Sequence, residues 1–211
     1  MHYPIDRSDT PIRLFKSDFL EFFTHISPVT VTAIWLPAMI FFLARAILTR
    51  PAGGFPWHIP AGFALGLFLW TFAEYMLHRF VFHYKARPGW QERAFYLFHG
   101  IHHHQPQCKT RLVMPPVLSI PLAILFYGLF YLVVGKLLSA PHWVDGLVAG
   151  FMLGYLIYDL THYATHHFPM KRGVFKYLRR YHMLHHYKTP EQRFGVSSPL
   201  WDAVFGTKPP E

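Results

Sequence analysis

The sequence predicts an all-α integral membrane protein in which four transmembrane helices carry a helical cytosolic cap. Of its 211 residues, 52% are hydrophobic and only 15% are charged, a balance that ordinary soluble domains do not have. Four apolar stretches each approach the ~20 residues that a helix needs to cross a bilayer. This length and pattern predict one membrane-embedded domain over residues 1–211, with an N-terminal tail over residues 1–25.

The four apolar stretches are arranged as two hairpins. A breaker-rich turn at residues 49–56 separates the first pair, and a short turn at residues 139–142 separates the second. The N-terminal tail lacks the charged, apolar and small-residue pattern of a cleavable signal peptide, so the first span is expected to target the chain. The predicted spans cover residues 28–48, 60–77, 116–138 and 143–160.

The basic residues predict the orientation. Seventeen of the 20 lysines and arginines lie in the N-terminal tail, between the second and third spans, or after the fourth span. The positive-inside rule therefore places both termini and the long polar segments in the cytoplasm. This topology, with contact to anionic lipid, accounts for the net charge of +9, so nucleic-acid binding is not expected. The compact loops favour a bacterial inner membrane, although an endoplasmic-reticulum protein would show the same charge bias.

Histidine is concentrated in four motifs beside or between the apolar stretches. Neutral imidazole is a good ligand for iron, zinc or copper. Residues three or four apart share one helix face, so each motif can direct its ring nitrogens at one point. The single cysteine, Cys108, excludes a cysteine-based metal or redox site. The motifs are His78-Arg-Phe-Val-Phe-His83, His99-Gly-Ile-His102-His103, His162-Tyr-Ala-Thr-His166 and His182-Met-Leu-His185-His186.

The number and spacing of these histidines predict a di-metal centre in the cap. The motifs at residues 99–103, 162–166 and 182–186 each place their histidines on one helix face. His78 and His83 lie about 140° apart around a helix, so they either serve different metals, which we favour, or straddle a frayed helix end. Ten nitrogens suit two ions with about five ligands each. The candidate ligands are His78, His83, His99, His102, His103, His162, His166, His182, His185 and His186.

Six other histidines are interpreted as solvated or hydrogen-bonded side chains. His104 and His167 extend two of the motifs, but each lies about 100° around the helix from its neighbour. The remaining four are isolated in the sequence, and a lone histidine is seldom a ligand. These four are His2, His25, His58 and His142.

Two acidic residues are close to the motifs in sequence. Glu74 precedes His78 by one helical turn, and Asp159 precedes His162 by three residues. Carboxylates within a membrane span are costly and usually functional. We expect each to lie in a second shell, accepting the spare ring N–H of a ligating histidine. The alternative is a carboxylate that reaches the membrane surface or pairs with a base such as Arg79.

The motifs also occur in a sequence context that resembles a known family. Roughly residues 60–207 are similar to the fatty acid hydroxylase superfamily, the sterol desaturase and fatty acid hydroxylase group, and most of all to its fatty acid 2-hydroxylases. The resemblance implies that the ten histidines bind two iron ions, which zinc can replace in purified protein, with O2 as co-substrate. Besides the first histidine motif, it rests on Arg111-Leu-Val-Met-Pro-Pro116, Gly154-Tyr-Leu-Ile-Tyr-Asp-Leu-Thr-His-Tyr163 and Ser198-Pro-Leu-Trp-Asp202.

The resemblance implies hydroxylation of a lipid acyl chain at carbon 2. It also has two departures. The His-Pro-Gly-Gly haem motif of a fused cytochrome b5 domain is missing, so a separate donor of cytochrome b5 or ferredoxin type, with its reductase, is expected to supply electrons. Cys108 occupies a position where the family often has an aspartate, which puts any role of that carboxylate in question here.

Several alternatives stay open at this level. Sterol oxidation, carotenoid hydroxylation and acyl desaturation use the same histidine di-metal site. A divalent-metal transporter would place its ligands at mid-membrane, and a membrane haem protein would need only paired axial histidines. Neither fits motifs that lie at the cytoplasmic border. The residues that bind the substrate are not assigned.

Overall fold

The computed structural model describes residues 4–210, so His2 lies outside the described residues. Across the described residues the secondary structure is entirely helical, as predicted, and no β-strand is present. Three π-helical segments continue α-helices, and a 3₁₀ turn at Pro141–Trp143 precedes one. The helices are α1 (Asp18–Phe22), α2 (Pro28–Leu48), α3 (His58–Met76), α4 (Trp90–Phe95), α5 (Ile101–His104), α6 (Pro116–Phe130), α7 (Val144–His167), α8 (Gly173–Tyr187) and α9 (Leu200–Val204).

Four helical segments in the described chain are long and apolar enough to cross a membrane, which confirms the predicted number. They are Pro28–Leu48, His58–Phe82, Pro116–Leu137 and Pro141–His167. The second and fourth have 25 and 27 residues and extend beyond the predicted ends at 77 and 160. Hydropathy marks only the apolar part of a helix, whereas these two helices continue into the polar histidine motifs.

The chain divides into two compact units. The first contains the residues up to Pro28, Thr71–Val113 and the residues from Tyr158 onward. The second contains Val29–Trp70 and Met114–Ile157. All ten candidate histidines fall in the first unit, and most of the span residues fall in the second. The single domain expected over residues 1–211 stays a prediction.

Within the second unit, glycines let α3 and α7 approach each other closely. A Cβ on Gly66 would lie 1.9 Å from the Leu147 carbonyl oxygen, and one on Gly150 would lie 1.9 Å from the Phe63 carbonyl oxygen. Small residues at four-residue spacing allow such backbone contact between membrane helices, where van der Waals packing drives association. The α7 span is also the most buried of the four, with 72% of its most apolar window inside the structure.

A charged pair connects three helices of the same unit. Arg45 on α2 donates from Nε to Asp145 Oδ2 at 2.7 Å, and from Nη2 to the Tyr127 hydroxyl at 3.2 Å. A second Nη2–Oδ1 contact makes the pair bidentate. Because both charges have an ionic partner, the cost of keeping them within apolar helices is reduced.

In the first unit, the N-terminal tail is tied to the segment that follows the second histidine motif. The Asp6 amide donates to the His104 carbonyl at 2.8 Å, and the Gln105 side chain accepts from the Ile12 amide at 2.9 Å. Gln105 also donates to the Asp6 carboxylate at 2.7 Å. An ion pair joins Lys109 to Asp9 at 2.9 Å. The tail is thus an ordered part of this unit from its first described residues.

Three of the histidines that were set aside have ordinary contacts. His25 is 2.8 Å from the Thr110 hydroxyl and 3.3 Å from a Glu21 carboxylate oxygen. His58 and His142 pack edge to face in the second unit, with ring centroids 4.9 Å apart. None of the three belongs to a group that could hold a metal among the described residues.

Gly150→Ala is expected to destabilise the helical bundle, because its new methyl group meets the Phe63 backbone, which cannot rotate away as a side chain could. Overpacking of this kind typically costs about 1–3 kcal/mol. We expect a lower midpoint of thermal unfolding, which circular dichroism in detergent would measure.

Gly128→Ala on α6 is the matched control, since apart from its chain neighbours and the adjacent backbone of its own helix no described atom lies within 4 Å of the added Cβ. Replacing a helical glycine in open space should be neutral or stabilising by up to about 1 kcal/mol. An equal loss of stability in the two variants would contradict the close helix contact.

Candidate metal centre

The ten candidate histidines converge in two groups of five. Within each group the potential ligand nitrogens all lie within 4.8 Å of one another. Eight of the ten rings are buried, while His83 and His103 are half-buried. The first cluster contains His78, His83, His99, His103 and His185. The second cluster contains His102, His162, His166, His182 and His186.

The distances between ring nitrogens fit ligands of a common ion. In the first cluster, the His99 and His103 Nε2 atoms are 3.0 Å apart, and His185 Nε2 is 3.1 Å from His83 Nε2. In the second cluster, His182 Nε2 is 3.0 Å from His166 Nε2. Two nitrogens that bind one ion at about 2.1 Å and at right angles are roughly 3.0 Å apart. Each cluster could therefore hold one metal ion.

Burial keeps the imidazoles outside the membrane spans in the form that binds metal. Removal from water disfavours the charged ring, so the pKa values of five buried rings fall well below the usual 6.5, with neighbouring imidazoles adding repulsion. The rings are then neutral at pH 7, with lone pairs free to coordinate. These five are His99, His102, His182, His185 and His186.

Two motifs divide their histidines between the clusters, contrary to the expectation that each motif serves one point. His102 belongs to the second cluster, whereas its neighbour His103 belongs to the first cluster. His185 and His186 divide in the same way. Adjacent helical residues point about 100° apart, so one such pair can face two sites. His103 and His186 stack across the boundary with ring centroids 4.2 Å apart.

The prediction that His78 and His83 serve different metals is wrong in its geometry, because both belong to the first cluster. The helix becomes π-helical over Leu77–Phe82, and the His83 amide donates to the His78 carbonyl at 3.0 Å, five residues back. The wider turn brings residues five apart onto one side of the helix. Such π segments often occur at functional sites.

Main-chain carbonyls orient two rings of the first cluster. His78 Nδ1 donates to the Phe194 carbonyl at 2.5 Å, and His185 Nδ1 donates to the Gln192 carbonyl at 2.7 Å. A hydrogen bond from Nδ1 selects the tautomer whose Nε2 is available to a metal. The segment at residues 192–197 therefore forms the outer layer of the first cluster.

Glu74 supports this layer and does not bind a histidine in the expected way. Its Oε1 accepts from the Val196 amide at 2.6 Å and the Ser197 amide at 2.8 Å, and its Oε2 accepts from the Ser197 hydroxyl. The glutamate thus holds the loop whose carbonyls orient the rings. Asp159 is 1% exposed, and its contact with a ligating histidine stays a prediction.

Asp202 also holds this loop, a position that the sequence reasoning did not assign to it. Its carboxylate accepts from the Phe194 amide at 2.9 Å and the Gly195 amide at 2.7 Å. A Cβ on Gly195 would lie 2.0 Å from the Ser198 carbonyl oxygen, so the loop requires glycine there. In the sequence, Asp202 entered only as the last residue of a segment that resembles the family, and that resemblance does not identify its hydrogen-bond partners.

His104 and His167 lie outside both clusters, in agreement with their helical positions. His104 Nδ1 is 2.9 Å from the Tyr96 hydroxyl. The His167 ring packs against Tyr163 with centroids 4.5 Å apart. The two clusters therefore contain the ten candidate ligands and neither of the two histidines that extend the motifs.

A cavity of about 670 Å³ reaches both clusters within the first unit. Two rings of the first cluster and one of the second cluster form part of its wall, together with cationic and aromatic side chains. A small molecule in this cavity could therefore approach both candidate metal positions. The lining residues include His83, His103, His186, Arg79, Lys85 and Glu191.

His103→Ala is expected to weaken metal binding by at least about tenfold, because it removes a ring from a five-membered cluster and even outer contacts contribute 10- to 100-fold. The readout is the metal content per chain after dialysis against a graded series of chelator concentrations. His104→Ala is a control from the adjacent position on the same helix and should retain the metal content of the parent. Equal loss in both variants would contradict the assignment of ligands.

Glu74→Ala is expected to lower metal affinity by about 10- to 100-fold although all ten rings remain. Its removal leaves the amides of residues 196 and 197 without their acceptor and frees the loop that orients His78 and His185. Chelator competition measures the affinity. Glu191→Ala removes an exposed carboxylate from the same unit and should have no such effect. Parent-like affinity in Glu74→Ala would refute a positioning role for this loop.

The chain matches the family model described as fatty acid hydroxylase over residues 63–207. It is 41% identical to a dihydroceramide fatty acyl 2-hydroxylase of Arabidopsis thaliana over 209 residues, which cover 99% of this chain and 84% of that protein. It is 37% identical to a fatty acid 2-hydroxylase of Macaca fascicularis, covering all of this chain and 59% of that protein.

A solved structure described as full-length scs7p, with only the hydroxylase domain visible, is also similar. It has a TM-score of 0.82 and 35% sequence identity, and the match covers 92% of this chain and 70% of that one. The resemblance inferred from the motifs is confirmed by this agreement of sequence and fold. The chain is a multi-pass membrane oxidoreductase that belongs to the fatty acid hydroxylase family.

Proposed function

We propose that this protein is a membrane di-iron oxygenase that hydroxylates a lipid acyl chain at carbon 2. The observation that carries the proposal is the pair of adjoining five-histidine clusters, with eight of the ten rings buried, at the end of apolar helices. The names of the similar proteins, which are 2-hydroxylases of fatty acids or of the acyl chain of dihydroceramide, support carbon 2 and a lipid substrate.

Two iron ions, one in each cluster, would supply the strong oxidant that an unactivated C–H bond requires. The overall reaction consumes the C–H bond, one O2, two electrons and two protons, and yields the C–OH group and one water. The ten histidines fit such ions by number and distance, and the five buried rings outside the spans also by their neutral charge. Zinc competes well for imidazole sites, so zinc in a purified sample is compatible with an iron enzyme.

The side chains of this protein would position the reaction and keep water from it. The eight buried rings would limit the access of water to the metal positions, and the loop at residues 192–197 would hold His78 and His185 in one orientation. The cavity beside His83 and His103 would receive the polar end of the acyl substrate, because carbon 2 adjoins that end. The apolar remainder of the chain would stay in a lipid environment.

The electrons would come from a separate donor of cytochrome b5 or ferredoxin type, reduced by its own reductase. We also propose that both termini and the metal centre are cytoplasmic, on the strength of the seventeen-to-three distribution of basic residues. The sequence favoured a bacterial inner membrane, whereas the similar proteins reported above are eukaryotic. Fractionation of the native host distinguishes these membranes.

Mass spectrometry of membrane lipids tests the activity. A host that expresses the parent chain should accumulate 2-hydroxy acyl products, and growth under isotopically heavy O2 should place one heavy oxygen atom in each. His103→Ala should abolish the product, and His104→Ala, outside both clusters, should preserve it. An oxidised sterol, a hydroxylated carotenoid or a new acyl double bond in place of the 2-hydroxy product would assign the site to one of the alternative reactions.

A further inference from the structure

The exposed side of α8 contains a basic groove that the proposed reaction has not used. The groove has a volume of about 620 Å³. Its floor includes the apolar side chains of Met183 and Leu184. We call it the α8 groove and define it by six lining residues, Lys171, Lys176, Arg179, Arg180, Tyr187 and Lys188.

Positive charge around the α8 groove is not balanced by neighbouring acids. Residues 168–190 contain six lysines and arginines and no aspartate or glutamate. None of the ion pairs formed by the described residues involves these six cations. Clustered charge of one sign attracts a partner of the opposite sign and accelerates its association.

The α8 groove lies on the same helix as three metal-ligand candidates. His182, His185 and His186 are at most 4% exposed, on the buried side of α8. The ring of Tyr187 is on the groove side, and its centroid is 6.4 Å from that of His186. A helix with its side chains is about 10–12 Å across, so a partner in the groove would be separated from both clusters by one helix.

We propose that the α8 groove docks the acidic face of a one-electron carrier protein. This inference rests on the proposed function, which consumes two electrons per hydroxylation. Two carrier molecules would dock in turn, each would be oxidised by one electron, and both electrons would pass to the metal centre behind α8. With two protons, they reduce one oxygen atom of O2 to water.

The shape and composition of the surface favour a protein over a lipid bilayer as the occupant. The cations lie beside the apolar side chains of Met183 and Leu184, and apolar contacts surrounded by polar ones are typical of protein interfaces. A flat lipid surface suits a convex, apolar contact, and the start of α8 offers one in Val174 and Phe175, which are 62% and 56% exposed. The two kinds of contact are thus distinct along the helix.

The test measures binding of a defined carrier to the full chain. The probe is a soluble, acidic cytochrome b5-type haem domain, titrated against protein in nanodiscs of neutral phosphatidylcholine. The triple variant Lys176→Glu, Arg180→Glu and Lys188→Glu should weaken the Kd by about tenfold and reduce its salt dependence. A control variant reverses three exposed cations elsewhere in the same unit, Arg7→Glu, Lys16→Glu and Arg87→Glu, and should leave the Kd unchanged. Metal content per chain verifies that each variant is folded.

An unchanged Kd in the groove variant, or an equal loss in the control variant, would overturn the proposal. So would weakening that is seen only in nanodiscs containing anionic phosphatidylglycerol, because the groove would then contact lipid. Product formation with a small-molecule reductant is measured in parallel with the parent chain. Product without groove-dependent binding rejects the docking site alone, and groove-dependent binding without product rejects the proposed function alone.

Discussion

The convergence of ten imidazoles, eight of them buried, in two adjoining clusters is the constraint on which the first unit depends. The rings come from several helices whose ends lie close together, and main-chain carbonyls fix the orientation of two of them. Neighbouring histidines on α5 and on α8 belong to different clusters, so a movement of either helix would alter both candidate metal positions at once. The structure therefore makes the two sites mechanically inseparable, which suits a reaction that needs two metals at a fixed separation.

Main-chain carbonyls, and not side chains, orient two rings of the first cluster. The carbonyls of Gln192 and Phe194 hold rings of the first cluster, and the carboxylates of Glu74 and Asp202 hold the backbone of that loop. A carboxylate buried beside backbone amides accepts several hydrogen bonds and so fixes a loop that has no regular secondary structure. Glu74 and Asp202 thus restrict the two rings indirectly: each carboxylate is hydrogen-bonded to the loop, and the loop is hydrogen-bonded to His78 and His185.

Much of this architecture could be predicted from the residues. Other parts could not be predicted, and each of these failures has a physical reason. Apolar runs predicted four spans, but not the ends of α3 and α7, because a helix continues where hydropathy stops. Spacing singled out the ten histidines, but a regular helix was assumed for His78 and His83, whereas the structure has a π-helical turn over Leu77–Phe82 that hydrophobic periodicity does not mark. The carbonyl acceptors were unpredictable because every residue has a carbonyl group. Glu74 was expected to accept from a ligating histidine, whereas its partners are in the loop, more than 120 residues away in sequence, and depend on the fold.

The loop at residues 192–197 also determines when the centre can be completed during synthesis. A ribosome produces the chain from its amino terminus, so the spans and the first three histidine motifs emerge before α8, this loop and Asp202. Until those last residues have folded back, the other seven rings have no complete cluster to join and the orienting carbonyls are missing. Metal bound by these rings would consequently be inserted late, and a chain arrested shortly before residue 192 would occupy the membrane without a finished centre.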